Sequence, residues 1–194
     1  MDMAFDAGNE LSDEALLVLF GNGDGAAARQ LAQRLTPRVL SHAFRVLGDR
    51  AEAEDVAQEA MLKLWKIAPD WRQGEAKITT WLYRVTANMC TDRLRKRRGV
   101  DLEDIPEPED DTPSVENQMH SAARAQALQQ ALQSLPDRQR QAVVLRHIEG
   151  RSNPEIAEAL EISVEAVESL TARGKRALRS ILIERQDELG YKED

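Results

Sequence analysis

The 194-residue chain sets 26 lysines and arginines against 34 aspartates and glutamates, a formal net charge of −8, with 42% hydrophobic and 31% charged residues. This is the composition of a globular protein large enough for one medium or two small domains. No apolar run approaches the ~20 residues of a membrane span, the acidic start MDMAFDAGNELSDEA lacks the basic and apolar stretches of a signal peptide, and the single Cys90 excludes an internal disulfide; membrane insertion is not expected, and a cytoplasmic location is the default.

Every segment with a clear period reads as helix. Alternating β-branched runs and Asn-Gly hairpin turns are missing, so an all-α fold is predicted. Ser12 is placed to cap a short helix bearing Leu16, Leu17, Leu19 and Phe20, which Gly21 to Gly25 breaks. A long helix follows from about Ala26 to Leu47, with Leu31, Leu35, Val39 and Phe44 among its apolar positions. Pro37 should kink it or mark a break, and Gly48-Asp49 closes it.

The third predicted helix, about Ala51 to Ile67, separates into two sides. Val56, Ala60, Met61, Leu64 and Trp65 cluster on the apolar one, and Glu52, Asp55 and Glu59 make an acidic stripe with Gln58 beside it. Such a stripe is either a solvated face or a docking face for a basic partner.

The fourth helix, about Thr79 to Arg98, is richer in chemistry. Trp65, Trp71, Trp81 and Tyr83 lie close together in sequence, with Arg72, Lys77 and Arg84 among them. Cations for phosphate and flat rings for unstacked bases are what single-stranded nucleic acid needs. Ile78, Leu82, Val85 and Met89 form the predicted core stripe. Arg84, Asn88, Thr91, Arg95 and Arg98 step by four, three, four and three, and so share a face turned away from it. Trp81 lies on the border. Long cations beside a short amide and a hydroxyl can contact phosphates and base edges together.

From Gly99 to Ser114 the helical period is lost. Pro106, Pro108 and Pro113 sit among acids, and DLEDIPEPEDD holds seven carboxylates and no cation. A segment of this kind cannot bury enough surface to fold. It divides the chain into domains at 1–98 and 115–194, joined by an acidic flexible linker at 99–114.

Beyond it, Val115 to Ser134 is predicted helical and ended by Leu135-Pro136. Asp137 is expected to cap a helix from Arg138 to Glu149, with Gly150 as its C-terminal stop. Ser152 to Arg179 then reads as two short helices joined by a tight turn, the shape of a helix-turn-helix that lays its second helix in the major groove. Either Ser152 caps the first of these, with Glu155 completing a capping box, or Asn153 caps it with Pro154 at the first helical position. Ile156, Ala157 and Leu160 share its inner face; Ile162 lies in the turn, Ser163 caps the second helix, and Val167 and Leu170 point back. Glu161 stands in the turn where glycine is common, a position of some backbone strain.

The negative total does not suit unassisted, non-specific DNA binding. Local patches nonetheless set phosphate contact, and two are basic: Arg93, Arg95, Lys96, Arg97 and Arg98, then Arg173, Lys175, Arg176 and Arg179. A large partner that delivers the chain to DNA reconciles the two. Catalysis is not expected: His42, His120 and His147 form no ligand spacing, Cys90 reads as a packing residue, and no phosphate loop or metal motif is present. No cofactor is implied.

These pieces in this order resemble the sigma factors of bacterial RNA polymerase, most closely the small two-domain, extracytoplasmic-function kind. AEDVAQEAMLKLWK (53–66) is similar to the family's core-polymerase-binding segment, WRQGEAKITTWLYRVTANMCTDRLRKRR (71–98) to the segment that melts and reads the −10 promoter element, and Leu135 to Leu182 to the domain that reads the −35 element. The resemblance implies that Asp55, Gln58 and Glu59, with Glu52 on the same stripe, dock on the β′ clamp helices of core RNA polymerase. It places Trp81, Asn88, Asp92 and Arg95 near a flipped −10 base, with Arg84, Thr91 and Arg98 along the same helix. Exposed residues from Ser163 to Arg176, namely Ser163, Glu165, Glu168, Ser169, Arg173, Lys175 and Arg176, would enter the major groove. Promoter DNA, the polymerase β flap and an anti-sigma factor are the further partners it implies, and a signal-responsive promoter-selecting role the function. Glu165 and Glu168 depart from the basic or small residues frequent in the family. Either Glu168 accepts from a cytosine N4 amine, or the contacts shift to Ser169, Arg173 and Arg176. The acidic linker is either a plain tether or a polyanion threading a basic channel of the polymerase. The rival reading, a helix-turn-helix regulator acting without polymerase, would need a sensor domain or a dimer interface in the first lobe, where the sequence offers an aromatic-basic face.

Overall fold

The computed structural model describes residues 11–72, 77–100 and 116–183. Among these there is no strand, and no helix is long and apolar enough to cross a membrane. The linker's acidic run lies outside the described residues.

The first lobe is four helices. α1 spans Asp13–Gly21 and is capped by the Ser12 hydroxyl, which accepts from the Ala15 N–H at 3.2 Å. α2 spans Gly25–Leu47 behind an Asp24 cap. It is continuous through Pro37, so of the expected kink or break the break is absent; the proline sits on the solvent side, where a freed carbonyl can be hydrated. Gly48 ends the helix at φ 72°, a left-handed conformation open to glycine. Asp49 then caps α3, Arg50–Ile67. A 3-10 turn over Ala68–Asp70 follows, and α4 spans Ile78–Val100. The Glu14 carboxylate of α1 accepts from the Ile78 N–H at 3.3 Å, so one helix caps the start of another. Leu16, Leu17, Leu31, Leu35, Val56, Leu64, Ile78 and Cys90 make the lobe's core. Burial pushes the Cys90 thiol up to about 12, so it is a packing group at neutral pH.

The second lobe begins with α5, Glu116–Gln133, and continues with α6, Asp137–Val143, which widens into a π turn over Val144–Ile148. Asp137 does not cap α6. It occupies the first helical position behind Pro136, and its carboxylate instead pairs with Arg140 at 3.6 Å and with Arg98. α7 spans Asn153–Leu160 and α8 Val164–Ile183. Of the two caps open at the start of α7, Ser152 is the one used: its hydroxyl accepts from the Glu155 N–H while Glu155 reaches back to the Ser152 N–H. Those bonds, with Lys77, hold the Glu155 carboxyl down to about 2. Gly174 of α8 lies where a Cβ would come within 2.5 Å of the Val143 side chain, so the α6–α8 contact requires its missing side chain.

The two lobes pack directly on each other. The strongest polar joint is at the end of α2. Gln129 and Gln133 donate to the Phe44 and Arg45 carbonyls at 3.0 Å each, and Arg140 donates to the Val46 carbonyl. Arg97, from within the first lobe, takes the Leu47 carbonyl at 2.9 Å.

Two stability predictions follow from local chemistry. Glu161 has φ 53°, the one positive value at a non-glycine among the described residues. Glu161→Gly relieves strain of about 1 kcal/mol, partly offset by the extra chain entropy of glycine. Denaturant midpoints are expected to hold or rise slightly, and to fall by about 1–2 kcal/mol in Glu161→Val. His42 is fully buried, its ring nitrogens meet no protein partner, and burial lowers its pKa to about 4. The folded state thus refuses a proton that the unfolded chain accepts below the ordinary pKa of about 6.5. Stability is fully present above that pH and falls as pH drops from there toward 4; the fall should be shallower in His42→Leu, measured by urea unfolding across that window.

Candidate nucleic-acid interface

α4 carries the two sides of the site because its period separates them. Ile78, Leu82, Met89, Cys90 and Leu94 turn into the first-lobe core, with Val85 packed at its edge. Asn88, Asp92, Arg95, Lys96 and Arg98 are exposed. Trp81 is half-buried against that core, and Arg84 three residues on is half-buried as well. Asp92 and Arg95 pair at 2.9 Å, which holds the guanidinium close to the helix. Trp65, by contrast, meets Phe20 edge to face at 4.9 Å and serves packing.

The shared face expected for Arg84, Asn88, Thr91, Arg95 and Arg98 exists on the helix, but the second lobe takes part of it. The Thr91 hydroxyl donates to its own Ala87 carbonyl at 2.9 Å and accepts from the Gln141 amide at 3.0 Å. Arg98 pairs with Asp137. Tyr83, grouped by sequence with the aromatic-basic residues, is buried instead. Its hydroxyl donates to Glu149 at 2.8 Å, His42 meets its ring edge at 5.4 Å, and Arg151 lies 5.4 Å from the ring centre. Burial and the Glu149 carboxylate push the Tyr83 phenol well up, so it stays a donor.

On α3 the acidic stripe divides. Asp55, Gln58 and Glu59 are exposed, Asp55 lying 3.8 Å from Arg93 and Glu59 3.4 Å from Lys63. Glu52 turns the other way and grips Arg97 at 3.0 Å, tying α3 to α4. Beside the stripe runs a groove of about 500 Å³ between α2 and α3, lined by Leu40, Ala57, Gln58, Met61, Leu62 and Trp65 among others. Leu62 there is 52% exposed, large for an apolar side chain.

The second lobe presents α8 outward. Ile156, Leu160 and Val167 pack inside the helix pair. Ser163 caps α8, its hydroxyl accepting from the Ala166 N–H at 3.2 Å. Glu165, Glu168, Ser169, Arg173, Lys175 and Arg176 are all exposed. Glu165 is held below the ordinary carboxyl range by its own N–H and the Ser163 hydroxyl. Glu168 accepts from the Asn153 amide at 3.4 Å, and Arg173 donates to the Ser169 carbonyl at 3.2 Å.

Sequence reading missed Arg140, Gln141, Gln133 and Glu149 because their partners lie tens of residues away and no local pattern marks them. The one hint was an arginine and a glutamine immediately before the apolar run AVVL, where both prove buried.

The comparisons with known proteins agree with this geometry. Residues 31–100 match Sigma-70 region 2, and residues 125–178 match Sigma-70, region 4. The chain is 34% identical over 188 residues to the ECF RNA polymerase sigma factor SigE of Mycolicibacterium smegmatis, covering 92% of this chain and 72% of that one. It is 32% identical to SigW of Bacillus subtilis, over 82% of this chain and 91% of that one. Among solved structures, CnrH in complex with the cytosolic domain of CnrY is similar with a TM-score of 0.65 at 27% identity, covering 89% of this chain and 97% of that one. RpoE of Bartonella quintana, solved with the anti-sigma factor NepR, shares the fold with a TM-score of 0.60 at 22% identity, over 79% and 95%. With both sigma-70 regions matched in order, and no strand among the described residues, this protein belongs to the sigma factors of RNA polymerase, in their extracytoplasmic-function group.

Proposed function

We propose the following division of labour for this sigma factor. Asp55, Gln58 and Glu59, with the apolar groove beside them, dock on the clamp helices of core RNA polymerase. Trp81, Arg84, Asn88, Asp92 and Arg95 of α4 unstack and read the −10 element. α8, from Ser163 to Arg176, reads the −35 element, and the acidic linker at 99–114 keeps the two domains on one duplex. Glu52 leaves the docking set and serves the α3–α4 joint. The protein acts in the cytoplasm, without a catalytic site or cofactor, and an anti-sigma factor holds it until a signal arrives; the similarity to a sigma factor solved with such a partner supports that last step.

The observation that carries this reading is the two-sided character of α4. One face is tied into a hydrophobic core, so the helix is rigid. The other holds exposed cations and an amide, with a half-buried tryptophan at its border. Rigid presentation lowers the cost of flipping a base, which is a few kcal/mol. The exposed carboxylates of α3 complement a basic partner surface and set its orientation more than its affinity. A stand-alone regulator is not favoured, since both conserved regions of a polymerase-dependent factor are present.

Run-off transcription with core polymerase on a promoter library tests the scheme. Arg95→Ala and Trp81→Ala should retain core binding yet lose open complexes by about 10-fold or more, as loss of one stacked or paired base implies; unchanged permanganate reactivity at the −10 region in both would refute the assignment. Asp55→Lys combined with Glu59→Lys should weaken core binding by about 10-fold or more while leaving the fold intact, read by competition against the unaltered protein.

A further inference from the structure

We infer that Glu168 is a specificity-determining residue of the recognition helix: its carboxylate, held by Asn153, selects a cytosine in the −35 element by accepting from the N4 amine of the base. This rests on the assignment of α8 to that element.

α8 is divided by charge. Its first two turns carry Glu165 and Glu168, and its exposed cations begin only at Arg173 and continue with Lys175, Arg176 and Arg179. In a helix-turn-helix the early residues of the second helix meet base edges. Carboxylates therefore occupy the positions that read, and cations the positions that follow. Glu165 has a local reason to be acidic. It lies in the first turn, where a negative charge complements the helix dipole, and its own N–H and the Ser163 hydroxyl hold it. Glu168 has no such reason. It stands further along the helix and is exposed, and its helical neighbours Val164, Glu165, Thr171 and Ala172 include no cation.

The partner of Glu168 is Asn153 of α7, whose amide donates to Oε1 at 3.4 Å. Asn153 is itself fixed, since it opens α7 directly behind the Ser152 cap of the capping box. The other end of the amide, Oδ1, is buried and meets no donor. Turning the amide over would set that oxygen against the carboxylate and leave Glu168 without its donor, so the orphaned oxygen is the lesser cost. The amide thus fixes one oxygen of Glu168, and Oε2, which takes no bond from the described residues, is left to accept.

An ionised carboxylate only accepts. In the major groove guanine offers N7 and O6, both acceptors, and thymine offers O4 and a methyl group. Adenine sets its N6 amine beside the N7 acceptor. Cytosine alone presents a donor with no acceptor on its own edge. Three of the four bases would place an acceptor against Glu168, so the choice is made by repulsion as much as by attraction. The cations further along α8 supply the phosphate contacts that a carboxylate cannot.

Holoenzyme assembled from core polymerase and the full chain, transcribing a barcoded promoter library randomised across the −35 element, gives the base preference at each position. The unaltered protein should prefer cytosine at one position by about 10-fold. Glu168→Ala should erase that preference and keep the others. Glu168→Gln should move it to adenine, whose N6 and N7 a side-chain amide can pair together. Asn153→Ala should weaken it by a few-fold at the same position while helical content and core binding stay unchanged, as a positioning residue requires. Preferences unchanged at every position in Glu168→Ala and Glu168→Gln would overturn the role of Glu168; if Arg173→Ala with Arg176→Ala still lowers transcription from −35-dependent promoters, the assignment of α8 survives that result. A uniform loss over all −35 sequences in the Glu168 variants would overturn it too, since that marks a structural or phosphate-contacting side chain. If transcription ignores the −35 sequence altogether, the assignment of α8 fails, and the role of Glu168 with it.

Discussion

The last turn of α2 leaves the Arg45, Val46 and Leu47 carbonyls without helical partners, while Phe44 keeps the Gly48 N–H at 2.8 Å, and the satisfaction of this helix end organises the whole molecule. Any helix end has this deficit, and burying it unsatisfied is expensive. Here Gln133, Arg140 and Arg97 take the carbonyls from Arg45 to Leu47, and Gln129 adds a second donor to Phe44. Three of these belong to the second lobe. A charged donor in the array makes it stronger than a neutral cap, and the negative end of the helix favours a cation there. Arg140 is the hub. It also reaches the carbonyls of Gln133 and Leu135, so one side chain fixes the α5–α6 turn and joins it to the first lobe. Burial lowers its pKa and the nearby Asp137 opposes that, which leaves the group a cation at any ordinary pH.

The balance of forces at the interlobe surface differs from that in either core. Each core is a continuous packing of leucines, isoleucines and valines, where burial of one large side chain contributes about 1.5–3 kcal/mol. The shared surface buries one such side chain from the first lobe, Tyr83, and otherwise relies on alanine and polar contacts. Its exposed ion pairs contribute about 0–1 kcal/mol each. Hydrogen bonds to the α2 carbonyls contribute about 1 kcal/mol each in net terms. A surface of that strength can hold two small domains together on one chain and still yield to a larger partner. This suits a protein that must meet both polymerase and DNA with separate faces.

Acidic total charge and basic local faces also make sense together. The carboxylates concentrate in the linker sequence and on the outer side of α3, while α4 and α8 expose their cations. A negative total disfavours unassisted contact with phosphate, and exposed carboxylates complement a basic protein surface. On α8, Glu168 accepts from Asn153, which orients its carboxylate toward α7.

Local chemistry alone made much of this chain legible. The helical periods of α2, α3 and α4, the Ser12 and Ser163 caps and the turn between α7 and α8 are all short-range signals, and motif order was enough to indicate the family. Two local inferences failed for reasons that lie outside the local window. Pro37 sits where solvent can hydrate the carbonyl it frees, so α2 runs on. Asp137 has cations to pair with, one of them thirty-nine residues away, so it does not cap. Tertiary structure decided the rest: that Glu52 faces inward, that Tyr83 is a contact between domains rather than a ring open to bases, and that Arg140 and Gln141 are buried. Each depends on which surfaces meet between segments that lie far apart in the chain. Periodicity tells which face of a helix is apolar. It does not tell what will cover that face, because the covering residues come from another part of the chain.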